Sequence, residues 1–219
     1  MENILEIQKY IYNGLYLVLV ILAIVRYPRY KNDTPKYFPL LLFLNLIVEY
    51  VGLVLGIILG FNLVIYNISN LIYFPFIFLC FRESTTIPAF KKYINVFIVL
   101  FIIIFFYFAF ATDFNQHNQW ETTLTGSVFS IICILLYYIS ILRSDAVITI
   151  RYDRIFWISI GFLLFFAGTI PIEIISNALE MKGIDFNVFG VIRGGLIIIM
   201  NVCFIIGLLI TRPKSLQVS

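Results

Sequence analysis

Apolar residues along this chain gather into seven long runs, and polar residues fall mostly in the short segments between them. The runs cover Ile11 to Val25, Phe38 to Leu59, Leu63 to Phe81, Ile94 to Ala111, Leu124 to Leu142, Ile155 to Ile175 and Val188 to Thr211. A helix needs about 20 apolar residues to cross roughly 30 Å of hydrocarbon, and each run comes close to that length. Strands are a poor alternative, because the runs are too long and do not alternate. In lipid every backbone N–H and C=O must be bonded within the chain, which leaves helices for runs of this kind. The pattern predicts an all-α integral membrane bundle of seven transmembrane helices, one domain over residues 1–219.

The segments between the runs set the expected orientation. Arg26, Arg29, Lys31 and Lys36 precede the second run, Arg82, Lys91 and Lys92 precede the fourth, and Arg143, Arg151 and Arg154 precede the sixth. With Arg212 and Lys214 in the tail, twelve basic residues share one side, against Lys9, Lys182 and Arg193 on the other. Lys and Arg accumulate on the cytoplasmic side of membrane proteins. The expectation is an N-terminus outside and a C-terminus in the cytoplasm, with Trp157 and Trp120 near opposite interfaces. Met1 to Lys9 carries Glu2 and Glu6 and a single lysine, without the basic leader or cleavage site of a secretory signal, so the first run is expected to be kept as a helix.

Composition agrees with lipid as the solvent. Hydrophobic residues make up 62% of the chain and charged residues 12%, with a mean hydropathy of +1.01. Soluble domains average about 45–50% apolar and about 25% charged residues. A net charge of +3 gives no footprint for nucleic acid, so membrane lipids are the expected surroundings. Cys80, Cys133 and Cys203 stand singly in apolar runs and read as packing residues.

A faint internal echo is present. Glu49 in the second helix precedes Phe61-Asn62 by twelve residues, and Glu173 in the sixth precedes Phe186-Asn187 by thirteen. Helices one to three and five to seven run in the same directions, so the pattern admits a three-plus-one-plus-three parallel repeat of the kind found in some transporters. Chance similarity between apolar stretches is the competing explanation. Helix four, with Tyr107 as almost its sole polar side chain, is expected to face lipid on most sides and to contribute least to a site.

Ionisable groups inside a membrane cost about 2.5–3.5 kcal/mol each at mid-helix, so they direct attention. Glu49 lies eleven residues into the second helix, in mid-membrane. It has to face the bundle and find a partner, as proton carrier, cation ligand, ligand anchor or simple packing glue. Glu173 and Arg193 sit at similar depth near the outer ends of helices six and seven. They are placed to pair, or Arg193 to hold an anionic ligand group. Tyr66, Asn67 and Asn70 lie in the first turns of helix three, with Asn67 and Asn70 on one face, and Thr125 lies at the same level of helix five. Each has an ordinary explanation as an interhelical hydrogen bond. Their convergence on the outer halves of several helices, with inner halves almost wholly apolar, points to an outward-opening polar pocket. Pro75, Pro171 and Gly194-Gly195 mark places where helices three, six and seven can bend.

Some chemistries lack their residues. The one histidine, His117, rules out a histidine-rich di-metal centre, and no metal site or cofactor is expected. No phosphate-binding glycine loop or GxSxG elbow occurs. The seventh run has no lysine for a retinal Schiff base.

Ile47-Val48-Glu49 followed by Gly52, Tyr66-Asn67-Ile68, and Asp153 with Phe156-Trp157-Ile158 followed by Gly168 and Pro171, form an ordered set across helices two to seven. This order resembles that of an uncharacterised group of small bacterial seven-helix membrane proteins, from which the chain departs at Ile72 and Tyr73, where an acidic residue is expected. The resemblance implies the seven-helix fold and carries no activity. With the bias to Ile, Phe, Asn, Lys and Tyr, typical of an AT-rich genome, it implies a bacterial inner (plasma) membrane.

The leading functional expectation is a receptor-like or sensory protein that binds a small molecule from outside. Its cytoplasmic loops are too short for catalysis, so it would signal through a cytoplasmic or membrane partner protein. A small-solute or proton-coupled transporter is the alternative, motivated by Glu49 and the repeat. A membrane enzyme acting on lipid through Glu49 or Glu173 ranks third, because no second catalytic group is recognisable.

Overall fold

The computed structural model describes residues 2–29, 38–60, 62–114, 118–144, 150–180 and 187–210. Its helices are α1 (Glu2–Arg26), α2 (Phe38–Leu59), α3 (Leu63–Ser84), α4 (Pro88–Ala111), α5 (Trp120–Leu142), α6 (Arg154–Glu180) and α7 (Asn187–Leu209). All seven are long and apolar enough to cross a membrane, and no strand occurs among the described residues. Most extend past the apolar runs into polar sequence. Pro88 occupies the first turn of α4, where its missing N–H costs nothing. Asp153 caps α6, its Oδ1 accepting from the Ile155 N–H at 3.1 Å. Gly60, at φ +75°, makes the tight reversal from α2 into α3.

Contacts between helices define an up-and-down bundle. The Tyr16 hydroxyl of α1 meets the Leu42 carbonyl of α2, Thr86 bonds Ser140 where α3 and α5 end, and Tyr138 of α5 bonds Ser159 near the start of α6. Gln8 of α1 reaches the Val191 carbonyl of α7, so the first and last helices run side by side in parallel. Six helices therefore close a ring in the order α1, α2, α3, α5, α6, α7, and α4 packs outside it on α3 and α5.

The ring is filled unevenly. At the end where α1 finishes, a mass of aromatic rings occupies its centre. Phe38 stands edge-on to Phe204 at 5.1 Å, Phe204 to Phe162 at 4.8 Å, and Phe162 stacks on Phe166 at 5.7 Å. Phe74, Phe78, Phe81 and Tyr137 extend this mass towards α5. Phe74 lies directly on Gly126, where even a Cβ would come within 2.5 Å of its ring.

Arg26, Arg82, Lys91, Lys92, Arg143, Arg151 and Arg154 all lie at this aromatic-filled end, hereafter the basic end. Lys9 and Arg193 belong to the opposite, N-terminal end. Lys31, Lys36, Lys182, Arg212, Lys214, His117, Phe61 and Phe186 lie outside the described residues.

Candidate functional site

Glu49 is the centre of the N-terminal half. Eleven residues separate it from Phe38, which at about 100° per residue places the two within roughly 20° of each other around α2. Phe38, Leu41, Leu42 and Gly52 are all buried on this face, while Phe43, Ile47, Tyr50 and Val54 are exposed on the other. Glu49 shares the inward face and yet is exposed.

Three helices bring polar side chains to Glu49, each with two on one stripe. Tyr12 and Tyr16 stand four residues apart on α1, Asn45 and Glu49 four apart on α2, and Tyr66 and Tyr73 seven apart on α3. They form two layers. In the upper layer the Tyr66 hydroxyl donates to the Glu49 carboxyl, and Tyr12 lies close enough to feel its charge, as does Lys9. In the lower layer the Tyr16 hydroxyl donates to the Leu42 carbonyl at 2.8 Å and so has only acceptor capacity left for its bond with the Asn45 side chain. Tyr73 adjoins Tyr16 and rests on Phe74 and Phe162, at 5.5 and 6.5 Å, where the aromatic mass begins. Tyr12, Tyr16, Asn45, Tyr66 and Tyr73 are each half-buried.

Gly52 makes the upper layer possible. A Cβ there would lie 2.9 Å from the Tyr66 hydroxyl oxygen and 3.0 Å from the ring carbon that bears it. The phenol can therefore lie across α2 and reach Glu49 one turn away.

A second polar group sits where α6, α7 and α1 meet. Arg193 pairs with Glu173 at 2.6 Å, the glutamate nearly buried and the arginine partly open. Glu173 falls on the α6 stripe of Phe162, Phe166 and Thr169, which faces the ring interior. Beside it, Gln8 donates to the Val191 carbonyl at 3.1 Å, and its own oxygen is buried without a partner among the described residues.

The remaining expected residues point elsewhere. The Asn67 amide is buried, donating to the Phe114 carbonyl at 2.9 Å and accepting from the Gln119 N–H at 3.3 Å, so it fastens the connection between α4 and α5. Asn70 donates to Thr123 of α5 at 3.1 Å, and Thr125 bonds the Glu121 carbonyl one turn back in its own helix. The structure thus brings Glu49 to Tyr66 and Glu173 to Arg193, turns Asn67 and Asn70 towards the start of α5, and keeps Thr125 bonded within its own helix. Tyr12, Tyr16, Asn45 and Tyr73 are lining residues that the sequence reading passed over. Their signal was the spacing of polar groups by four or seven within otherwise apolar helices. Among 14 tyrosines that signal is faint.

Among the described residues no group of three or more His, Cys, Asp or Glu side chains could hold a metal ion. No family model matches the chain, and neither the curated proteins nor the solved structures contain a match.

Proposed function

We propose that this chain is a receptor-like membrane protein that binds a small molecule in the hollow lined by Tyr12, Tyr16, Asn45, Glu49, Tyr66 and Tyr73. In this reading the N-terminal end faces outward and the basic end lies in the cytoplasm of a bacterial inner membrane, on the side where Lys and Arg accumulate. Exposure of Glu49 on the buried face of α2 carries the reading. A carboxylate at mid-helix is costly in lipid, and an open interior with hydroxyl partners supplies what it requires. The aromatic mass beneath gives the hollow a floor, so an occupant presses on packed rings that continue to the basic end. Occupancy would pass along that path to a partner protein, because the described connections at the basic end are too short to form a catalytic domain.

Thiol labelling tests the hollow directly. Tyr73 and Ile72 are neighbours at one depth, Tyr73 facing the interior and Ile72 exposed on the outer surface of α3. In a background lacking Cys80, Cys133 and Cys203, a membrane-impermeant thiol reagent added outside sealed vesicles should label Tyr73→Cys and leave Ile72→Cys unlabelled. Protection of both, or labelling only from the basic side, would defeat the reading.

Transport is a second reading with its own support. Helices α1 to α3 and α5 to α7 fill the ring as two consecutive triplets with α4 outside, the arrangement a three-plus-one-plus-three duplication requires. Proton flux into liposomes that survives Glu49→Gln unchanged would remove Glu49 from any such pathway.

A further inference from the structure

The hollow differs from an ordinary apolar pocket in its charge. Among the described residues no Lys or Arg lies within ion-pair distance of the Glu49 carboxyl, whereas the other interior carboxyl, Glu173, is paired with Arg193. Lys9 lies nearby and is exposed, where water screens it. Glu6 and Lys9 both stand on the first turns of α1, above Glu49, while Arg26, Arg82, Lys91, Lys92, Arg143, Arg151 and Arg154 gather at the basic end, which repels cations. Tyr12 and Tyr66 flank the carboxylate, and the faces of such rings attract ammonium groups. Below them Asn45, Tyr16 and Tyr73 offer hydrogen-bonding groups about one to two helical turns from the charge. That spacing suits a polar group a few bonds from a cationic centre.

We infer that the ligand of this hollow is a small organic cation, an amine or quaternary ammonium compound, with Glu49 as its counter-ion and Tyr12 and Tyr66 as its walls. The inference rests on the binding reading above and narrows it to one ligand class. An anionic ligand would meet Glu49 with no compensating charge, and a neutral one would leave that charge unbalanced.

A reporter that spares the whole lining is available at Gly56. It lies on the Glu49 stripe seven residues on, and a Cβ there meets nothing closer than the Asn62 side-chain nitrogen at 3.5 Å. In the cysteine-free background, Gly56→Cys is reacted with a trimethylammonium-bearing and a sulfonate-bearing methanethiosulfonate of similar size. Rates are normalised to those of a free thiol in solution. The cationic reagent should be favoured about tenfold, a ratio that corresponds to about 1.4 kcal/mol. Glu49→Gln should bring the ratio close to one, and tetramethylammonium should slow the reaction where tert-butanol at equal concentration does not.

Equal rates for the two reagents, or a preference that survives Glu49→Gln, would overturn the inference and leave the open hollow standing. Failure of both reagents would overturn the hollow itself. The unmodified chain gives a check free of the reporter. Tetramethylammonium chloride should raise its unfolding temperature above that in sodium chloride of equal concentration, and Glu49→Gln should abolish the difference. No difference in the unmodified chain counts against the inference.

Discussion

Gly126→Ala is the sharpest probe of the packing beneath the hollow. The added methyl would sit 2.5 Å from two atoms of the Phe74 ring and 2.6 Å from a third. Carbon atoms pack without strain at about 3.5–4.0 Å, so the ring or the α5 backbone must retreat by about 1 Å. Phe74 has little room to do so. Phe101 stands 5.3 Å away, Tyr73 5.5 Å, Phe166 5.9 Å and Phe78 6.4 Å, centre to centre. Overpacking a filled core costs about 1–3 kcal/mol, and a site confined on this many sides belongs at the upper limit. Replacing glycine by alanine within a helix returns about 0.5–1 kcal/mol. The net loss is then about 2 kcal/mol. At about 2–4 °C per kcal/mol for a chain of this size, unfolding in detergent should fall by about 4–8 °C, read from tryptophan fluorescence on heating.

Gly14→Ala is the matched control, because nothing lies within 4 Å of its added methyl, and it should leave the transition unchanged or raise it. Phe74→Leu in the Gly126→Ala background removes the collision, so the two changes together should cost less than their sum by more than about 1 kcal/mol. If Gly126→Ala behaves like Gly14→Ala, then α5 does not press on Phe74 and the aromatic floor is not closed as described.

Two further outcomes follow from the interior polar groups. Arg193→Ala strands a nearly buried carboxylate and should lower stability by about 2–3 kcal/mol, whereas Glu173→Gln leaves a partly exposed arginine and should cost under about 1 kcal/mol; thermal unfolding of the two variants checks the order, and the reverse order would show that Arg193 is the more confined partner. Asn201 is fully buried on α7 with neither its oxygen nor its nitrogen bonded among the described residues, so Asn201→Leu, which keeps the branch at Cγ, should raise the unfolding temperature by about 2–4 °C; a fall would mean that the amide is engaged.

Helix number was legible because lipid leaves a chain so few choices. A run of about 20 apolar residues without charge reads as a spanning helix whatever it packs against. Glu49 and the Glu173–Arg193 pair were legible for the same reason, each being an expense that needs an explanation. Asn67 and Asn70 show where this reasoning stops. Their shared face was evident from the spacing, but the face turns towards α5, and which neighbour a face meets depends on the ring order. Tyr16 and Tyr73 were hidden by chemistry. A tyrosine serves equally as core filler, as interfacial anchor or as a hydroxyl aimed at a site, and the choice depends on what surrounds its ring.

That division follows from how the two halves of the ring do different work. Phe38, Phe74, Phe162, Phe166 and Phe204 bury large apolar areas against one another and involve no polar atoms, so they stabilise the bundle wherever the N-terminal half goes. The lining residues are half-buried and contribute less, since each keeps part of its surface accessible. Stability and recognition are then separable along the membrane normal. Changes to Glu49, Tyr12 or Tyr66 fall on the open half, which the filled half does not need in order to pack. They should alter binding without unfolding the chain, whereas changes to the floor do the reverse. Tyr73 belongs to both halves, its hydroxyl beside Tyr16 and its ring on Phe74 and Phe162. On the proposed reading, a ligand that settled on the lower layer would touch the packed core at Tyr73, so Tyr73→Phe should leave the floor packed while Tyr73→Ala disturbs both halves.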